Sequence, residues 1–157
     1  MAFEKAKAHL EKYGLEAKIK LFDVSSATVS LAAAALGTQE AKIAKTLSFM
    51  TPDGAILVVC AGDTKVDNQK YKATFSVKAK MLSFEEVEPM IGHAVGGVCP
   101  FGVNSGVKIY LDDSLRRFDI VYPAAGTANS AVELTLEELE RSAEAIGWVD
   151  VTTVRET

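Results

Sequence analysis

Apolar residues recur along this chain with two periods, and the switches between them divide it into helices and strands. Phe3, Ala6, Leu10 and Tyr13 stand at helical spacing with Lys and Glu between them, and Gly14 follows as a C-cap. The spacing predicts an amphipathic surface helix over 3–13. Residues 17–22 (AKIKLF) alternate like a half-buried strand. Ser25, Ser26 and Thr28 offer an N-cap to an alanine-rich helix, TVSLAAAALG, which Gly37 closes. Two apolar runs, 43–50 and 55–61, flank Thr51-Pro52-Asp53-Gly54 and read as an antiparallel hairpin, because that spacer is strong turn chemistry.

Beyond the hairpin, Asp67 can cap a short helix, and Ser83-Phe84-Glu85-Glu86 reads as a capping box opening a helix that ends near Gly92. Residues 107–111 (VKIYL) and 119–122 (DIVY) read as strands, with one helical turn between them. A small-residue loop over 123–130 precedes AVEL. Thr135 and Glu138 cap a last long helix that Gly147 is expected to close. Residues 148–151 suggest a short edge strand, and the remainder is expected to fray. Strands and helices mix without a regular βαβ alternation, which predicts one α+β domain over 1–157 built on a mixed sheet.

Composition narrows the classes. A hydrophobic content of 48% and a charged content of 24% are those of an ordinary globular domain. No apolar run approaches the roughly 20 residues that cross a bilayer, and the charged N-terminal stretch does not read as a secretory signal. The two cysteines, Cys60 and Cys99, lie among apolar neighbours and read as reduced core thiols of a cytoplasmic protein. Neither histidine has a metal-ligand partner at a useful spacing, so no metal and no cofactor are expected. The net charge of −4 advertises no general polyanion surface; a nucleic-acid contact would need a local basic patch.

Four features carry candidate chemistry. The stretch 91–106, IGHAVGGVCPFGVNSG, holds five glycines and Pro100. It reads either as a bent, bulged strand turning at Pro100-Phe101-Gly102, or as a bare backbone that a ligand approaches closely. Lys45 interrupts an apolar strand, which suits an edge or solvent-facing position or a cation held over a pocket to meet a phosphate or a developing oxyanion. Lys65, Lys70, Lys72, Lys78 and Lys80 form the one basic concentration, a solvated helix face or a phosphate-backbone contact. His93 and Cys99 lie in the glycine stretch; His93 suits a hydrogen-bonded structural role, and Cys99 would be a nucleophile only with a lowered pKa. No G-x-S-x-G and no Walker loop is present. A site of backbone donors and one cation remains, suited to binding an ester or phosphate.

Three segments together resemble the YbaK and prolyl-tRNA-synthetase-associated editing domains. They are IAKTLSF, with Lys45 followed by Thr46; AVGGVCPFG, with glycine and proline spaced as Gly96 and Pro100; and the loop and strand AAGTANSAVEL. The resemblance covers essentially the whole chain. It implies a mixed sheet curled toward a barrel with helices packed outside, and hydrolysis of a mischarged amino acid from the 3′ end of aminoacyl-tRNA, often that for proline. It implies that Lys45 contacts the aminoacyl-adenosine end and is required for activity, with Thr46 beside it. Gly96, Gly97, Val98, Cys99 and Pro100 would hold the ester carbonyl or the amino acid, and Gly126 would line the opposite wall. A substrate group or an ordered water would complete the reaction. Lys65, Lys70 and Lys72 would meet the tRNA, and a synthetase is a further partner where it delivers the substrate.

Two positions depart from the cysteine-clearing subgroup: Ala131 stands where that subgroup has an aspartate, and its first-strand tyrosine is replaced near Phe22. His93 and Cys99 are the candidates for this chain's own specificity. The rival readings are a non-catalytic module of the same fold that binds tRNA ends, nucleotides or a protein, and a small-molecule hydrolase using Cys99.

Overall fold

The computed structural model describes residues 2–155. In chain order its elements are α1 (Ala2–Glu11), β1 (Ile19–Leu21), α2 (Val29–Leu36), β2 (Ala44–Thr51), β3 (Gly54–Ala61), β4 (Thr64–Val66), α3 (Asn68–Phe75), α4 (Phe84–Ile91), β5 (Lys108–Asp112), β6 (Ile120–Val121), β7 (Ser130–Val132), β8 (Leu134–Thr135), α5 (Leu136–Ala143), β9 (Gly147–Val149) and β10 (Thr152–Val154). The helix starts follow local chemistry. Thr28 Oγ1 accepts from Leu31 N–H at 3.2 Å, Asp67 accepts from Gln69 and Lys70 N–H at 3.0 Å, and Ser83 N–H donates to Glu86 Oε1 at 2.8 Å. Each such cap contributes about 1 kcal/mol.

The central sheet has the order β2-β3-β5-β9; β2 and β3 are antiparallel, and the other two pairings are parallel. Strand β3 is buried on both faces, which explains its unbroken apolar run. Leu57, Val59 and Ala61 face a main core shared with α1, α4 and α5, whereas Ile56 and Val58 face a smaller one closed by Phe49, Tyr71 and Val151. Each large side chain buried fully in these clusters contributes roughly 1.5–3 kcal/mol.

Beyond the β2 edge the sheet curls. Ile43 bridges Tyr122, and the ribbons β6–β8 and β1–β7 follow. The mixed α+β architecture is as expected, but among the described residues the curl does not close into a barrel.

Three local expectations are corrected. Residues 16–18 form a 3-10 turn, so the first strand shortens to β1. Helix α5 ends at Ala143, with Glu144 in the left-handed region at φ 55°. Its carboxylate accepts from the Tyr13 hydroxyl and lies 3.8 Å from Lys12 Nζ. Gly147 therefore caps no helix; it opens β9, opposite Tyr110. The residues after 151 do not fray as far as Arg155: β10 pairs with β4, and buried Asp112 accepts from Val151 N–H at 2.9 Å and Thr152 Oγ1 at 2.7 Å. Residues 156 and 157 lie outside the described residues.

Candidate active site

The β2 edge is the floor of a cleft of about 410 Å³. One wall is the start of α2 (Ala27, Thr28, Val29, Ala32), and the other is α4 with the glycine stretch (Phe84, Val87, Gly96, Val98). Ala124, Ser130 and Ala131 close the back. Small residues make this space: Ala32 and Ala33 lie against Ile43, so α2 sits close without filling the cleft.

Because β2 is the edge of the central sheet, side chains from both of its faces reach the cleft. Thr46 and Ser48, opposite Val59 and Leu57, turn toward the main core; Lys45, opposite Cys60, turns the other way. The Lys45 ammonium is half-buried and donates to the Thr64 carbonyl. Burial pushes its pKa down; Cys60 and Asp63 work against that, and Arg155 adds to it. Asp63 is itself held low by Arg117, whose guanidinium donates to both carboxylate oxygens at 2.6 and 3.0 Å. Thr46 Oγ1 is buried and has no hydrogen-bond partner. Such a group costs roughly 1–3 kcal/mol until something pairs with it. Among the described residues no carboxylate lines the cleft.

The glycine stretch contains no strand, so the bent-strand reading is replaced by a looped one. Gly96, at φ 97°, and Val98 line the cleft, and among the described residues their N–H groups make no intramolecular hydrogen bond. Gly97 lies behind them. Its N–H donates to the Ala94 carbonyl at 3.0 Å, and a Cβ there would lie 2.6 Å from Gly126 C and Thr127 N. Gly97 and Gly126 are thus a close backbone crossing that supports the loop. Gly126 lines a separate depression beside Ala2 and Phe3, not the opposite wall of the cleft.

His93, Cys99 and Pro100 are buried and do not line the cleft, which corrects their assignment to the substrate surface. His93 Nε2 lies 2.6 Å from the Phe101 carbonyl, which can only accept, so the proton sits on Nε2. Nδ1 is buried without a partner, and burial pushes the ring pKa down. Burial likewise pushes the Cys99 thiol up to about 12 and Cys60 to about 11. Neither suits a nucleophile at neutral pH.

The lysines divide as well. Lys65 and Lys72 are exposed, but Lys70 donates to Asp150 Oδ1 at 3.0 Å and to the Thr152 carbonyl at 2.8 Å. Its ammonium ties α3 to β10 and is not free for a partner. Residues that sequence reasoning left out of the site include Ser48, Ser130, Phe84 and the α2 wall. Only the small residues of α2 signalled that something packs closely there. Among the described residues no helix is long and apolar enough to cross a membrane, and no group of three or more His, Cys, Asp or Glu could hold a metal ion.

Comparison with known proteins agrees with this geometry. An uncharacterised protein of Bacillus subtilis (strain 168), YwhH, is 45% identical over 152 residues, covering 96% of this chain and 97% of its own length. A proline–tRNA ligase of Bacillus cereus (strain AH820) is 24% identical over 122 residues, where 77% of this chain matches only 21% of the ligase. A solved structure described as a candidate trans-editing enzyme for prolyl-tRNA synthetase superposes with a TM-score of 0.87 at 29% identity, covering 97% of both chains. The profile of the aminoacyl-tRNA editing domain matches residues 24–142. With the match spanning the floor, both walls and the back of the cleft, the chain belongs to the aminoacyl-tRNA editing domain family.

Proposed function

We propose that this protein is a trans-editing deacylase: it hydrolyses the ester that joins a wrong amino acid to the 3′ end of a tRNA, with proline tRNA as the carrier. The reading is carried by the β2 edge, where one half-buried ammonium and one unpartnered hydroxyl share an open cleft that no carboxylate enters. An ammonium has three donors, and the Thr64 carbonyl takes one, leaving two for a substrate. When water adds to the ester carbonyl, negative charge develops on its oxygen. Lys45 and the free N–H groups of Gly96 and Val98 are the donors suited to stabilise that oxyanion.

Among the described residues the cleft offers no carboxylate or imidazole to take a proton from water. That transfer falls to the neighbouring ribose hydroxyl or a second water, and the proton ends on the ribose oxygen as the ester C–O bond breaks. Gly97, Pro100 and Gly126 shape the loop without touching substrate. Lys65 and Lys72 remain available to phosphates of the tRNA, and a synthetase that releases the mischarged tRNA is the partner the cycle needs. The setting is translation in the cytoplasm.

The test is deacylation of proline tRNA charged with Ala, Cys or Ser, by wild type and by Lys45→Ala. Hydrolysis of one species, lost with Lys45→Ala, supports the reading and identifies the amino acid. Binding of tRNA with no hydrolysis across the panel would replace it with the non-catalytic module, and unchanged hydrolysis by Lys45→Ala would remove Lys45 from the chemistry.

A further inference from the structure

We infer that Phe84, with Met81 and Val95, is a stacking shelf for the terminal nucleobase of the substrate. The inference rests on the editing reading of the cleft and adds where the nucleoside goes. Phe84 is 75% exposed, the highest value among the large apolar residues described; Met81 is 54% and Val95 51% exposed. Single exposed apolar residues are common, but these three line one cleft.

The shelf is fixed in place. Met50 N–H donates to the Lys80 carbonyl at 2.8 Å, Leu82 N–H donates to the Ser48 carbonyl at 3.2 Å, and Met81 bridges Phe49. The Ser83–Glu86 cap then holds Phe84 as the first residue of α4. With its backbone fixed, Phe84 has only two side-chain torsions to order when a partner covers the ring.

The cations on one side of the shelf bear on the occupant. Lys78 and Lys80 precede the shelf, exposed and without an ion pair among the described residues, whereas Glu85 and Glu86 follow it, with Glu86 engaged by the Ser83 N–H. A flat group attached to phosphates fits both the aromatic face and the two cations. A second copy docking isologously through the same patch would bring the same lysines near each other. The geometry of the ester points the same way. With the ester at Lys45, as the editing reading has it, the base lies one sugar away from the reacting carbon, in the cleft that Phe84 also lines.

The test uses proline tRNA whose terminal adenine is replaced by 2-aminopurine, a base whose fluorescence is quenched by stacking. Wild type and Phe84→Trp are expected to quench it. Phe84→Ala is expected to lose the quenching, bind about tenfold more weakly and raise KM for mischarged tRNA by about the same factor, with kcat within about twofold. Unchanged quenching and KM in Phe84→Ala, beside normal hydrolysis by wild type, would overturn the shelf and leave the editing reading standing. Quenching that depends on Phe84, without hydrolysis of any mischarged tRNA, would support the shelf and overturn the deacylase. Absence of quenching in wild type, or a dimer in sedimentation that Phe84→Ala dissolves, would overturn the shelf outright.

Discussion

The β2 edge and the interior of the glycine stretch both carry residues with reactive side chains, and they use them in opposite ways. At the edge, Lys45 has donors to spare and Thr46 Oγ1 has no partner, beside an open cleft. Inside the stretch, His93 and Cys99 are fully buried, and both turn to the Phe101 carbonyl, at 2.6 and 3.7 Å. Spare donors on a cation beside open space suit the edge to binding. Inside, His93 Nε2 and Cys99 Sγ are spent on the protein's own backbone, and the unpartnered His93 Nδ1 is sealed from the cleft, which suits the interior to a scaffold role. Residue type alone would have ranked them the other way, since histidine and cysteine are the commoner catalytic names.

The largest expected effect lies at the edge. Lys45→Ala should lower deacylation by about 10²–10³-fold, the range for removing one oxyanion donor, in single-turnover assays. Lys45→Met should do the same and also raise Tm by up to a few degrees. Burial lowers the folded pKa of Lys45, so its charge is held at a cost that is absent above the ordinary lysine value, grows as pH falls from there to the folded pKa, and stays constant below it. A Tm advantage at pH 7 that shrinks toward pH 10.5 would carry that signature, and a drop in Tm would contradict it.

Substitutions in the scaffold should invert the pattern. Gly97→Ala places a Cβ 2.6 Å from the backbone at Gly126 and Thr127, which cannot yield as a side chain tip would. The expected cost is about 1–3 kcal/mol in denaturant melts. Stability equal to wild type would mean that the crossing is looser than the structure shows.

This division explains what could be read from the residues. The hairpin and the caps at Thr28, Asp67, Ser83 and Thr135 were legible because each depends on neighbours in sequence, and the mixed sheet because the order of elements lacks a βαβ alternation. Lys45 and Thr46 were singled out through a motif, and both line the cleft. Gly147 misled because a glycine after a helical pattern looks the same whether it caps that helix or begins a parallel strand; the choice lies in the distant Tyr110. Residues after 151 looked free because their anchors, Asp112 and Lys70, stand about 40 and 80 positions away. His93 and Cys99 were misplaced because burial is a property of the whole packing.

A smaller effect reads the interior by pH. His93 in the folded protein binds its proton only below the ordinary value of 6.5, whereas the unfolded chain binds it there. Its contribution to stability is therefore complete above about pH 6.5 and is lost as pH falls from there to the folded pKa. His93→Gln removes this titration. Between pH 7.5 and 5 the variant should lose less stability than wild type, by up to roughly 1.4 kcal/mol per pH unit over the window, and leave substrate preference unchanged. Equal losses would mean that His93 is not held neutral.

The smallest expected effect is none at all, at the cysteines. A thiol with a pKa of about 12 is thiolate in roughly one part in 10⁵ at pH 7, and one of about 11 in roughly one part in 10⁴. Both side chains are also fully buried, so a reagent needs the chain to open before it can reach them. Iodoacetamide should leave the native protein unmodified and fully active over hours, and label both cysteines once denaturant unfolds it. Mass spectrometry of the alkylated protein, beside its deacylase rate, checks this directly. Rapid native labelling of Cys99 with loss of hydrolysis would move the chemistry from the β2 edge into the glycine stretch and reverse the contrast between them. Labelling without loss of hydrolysis would show only that the loop opens, and the edge would keep its role.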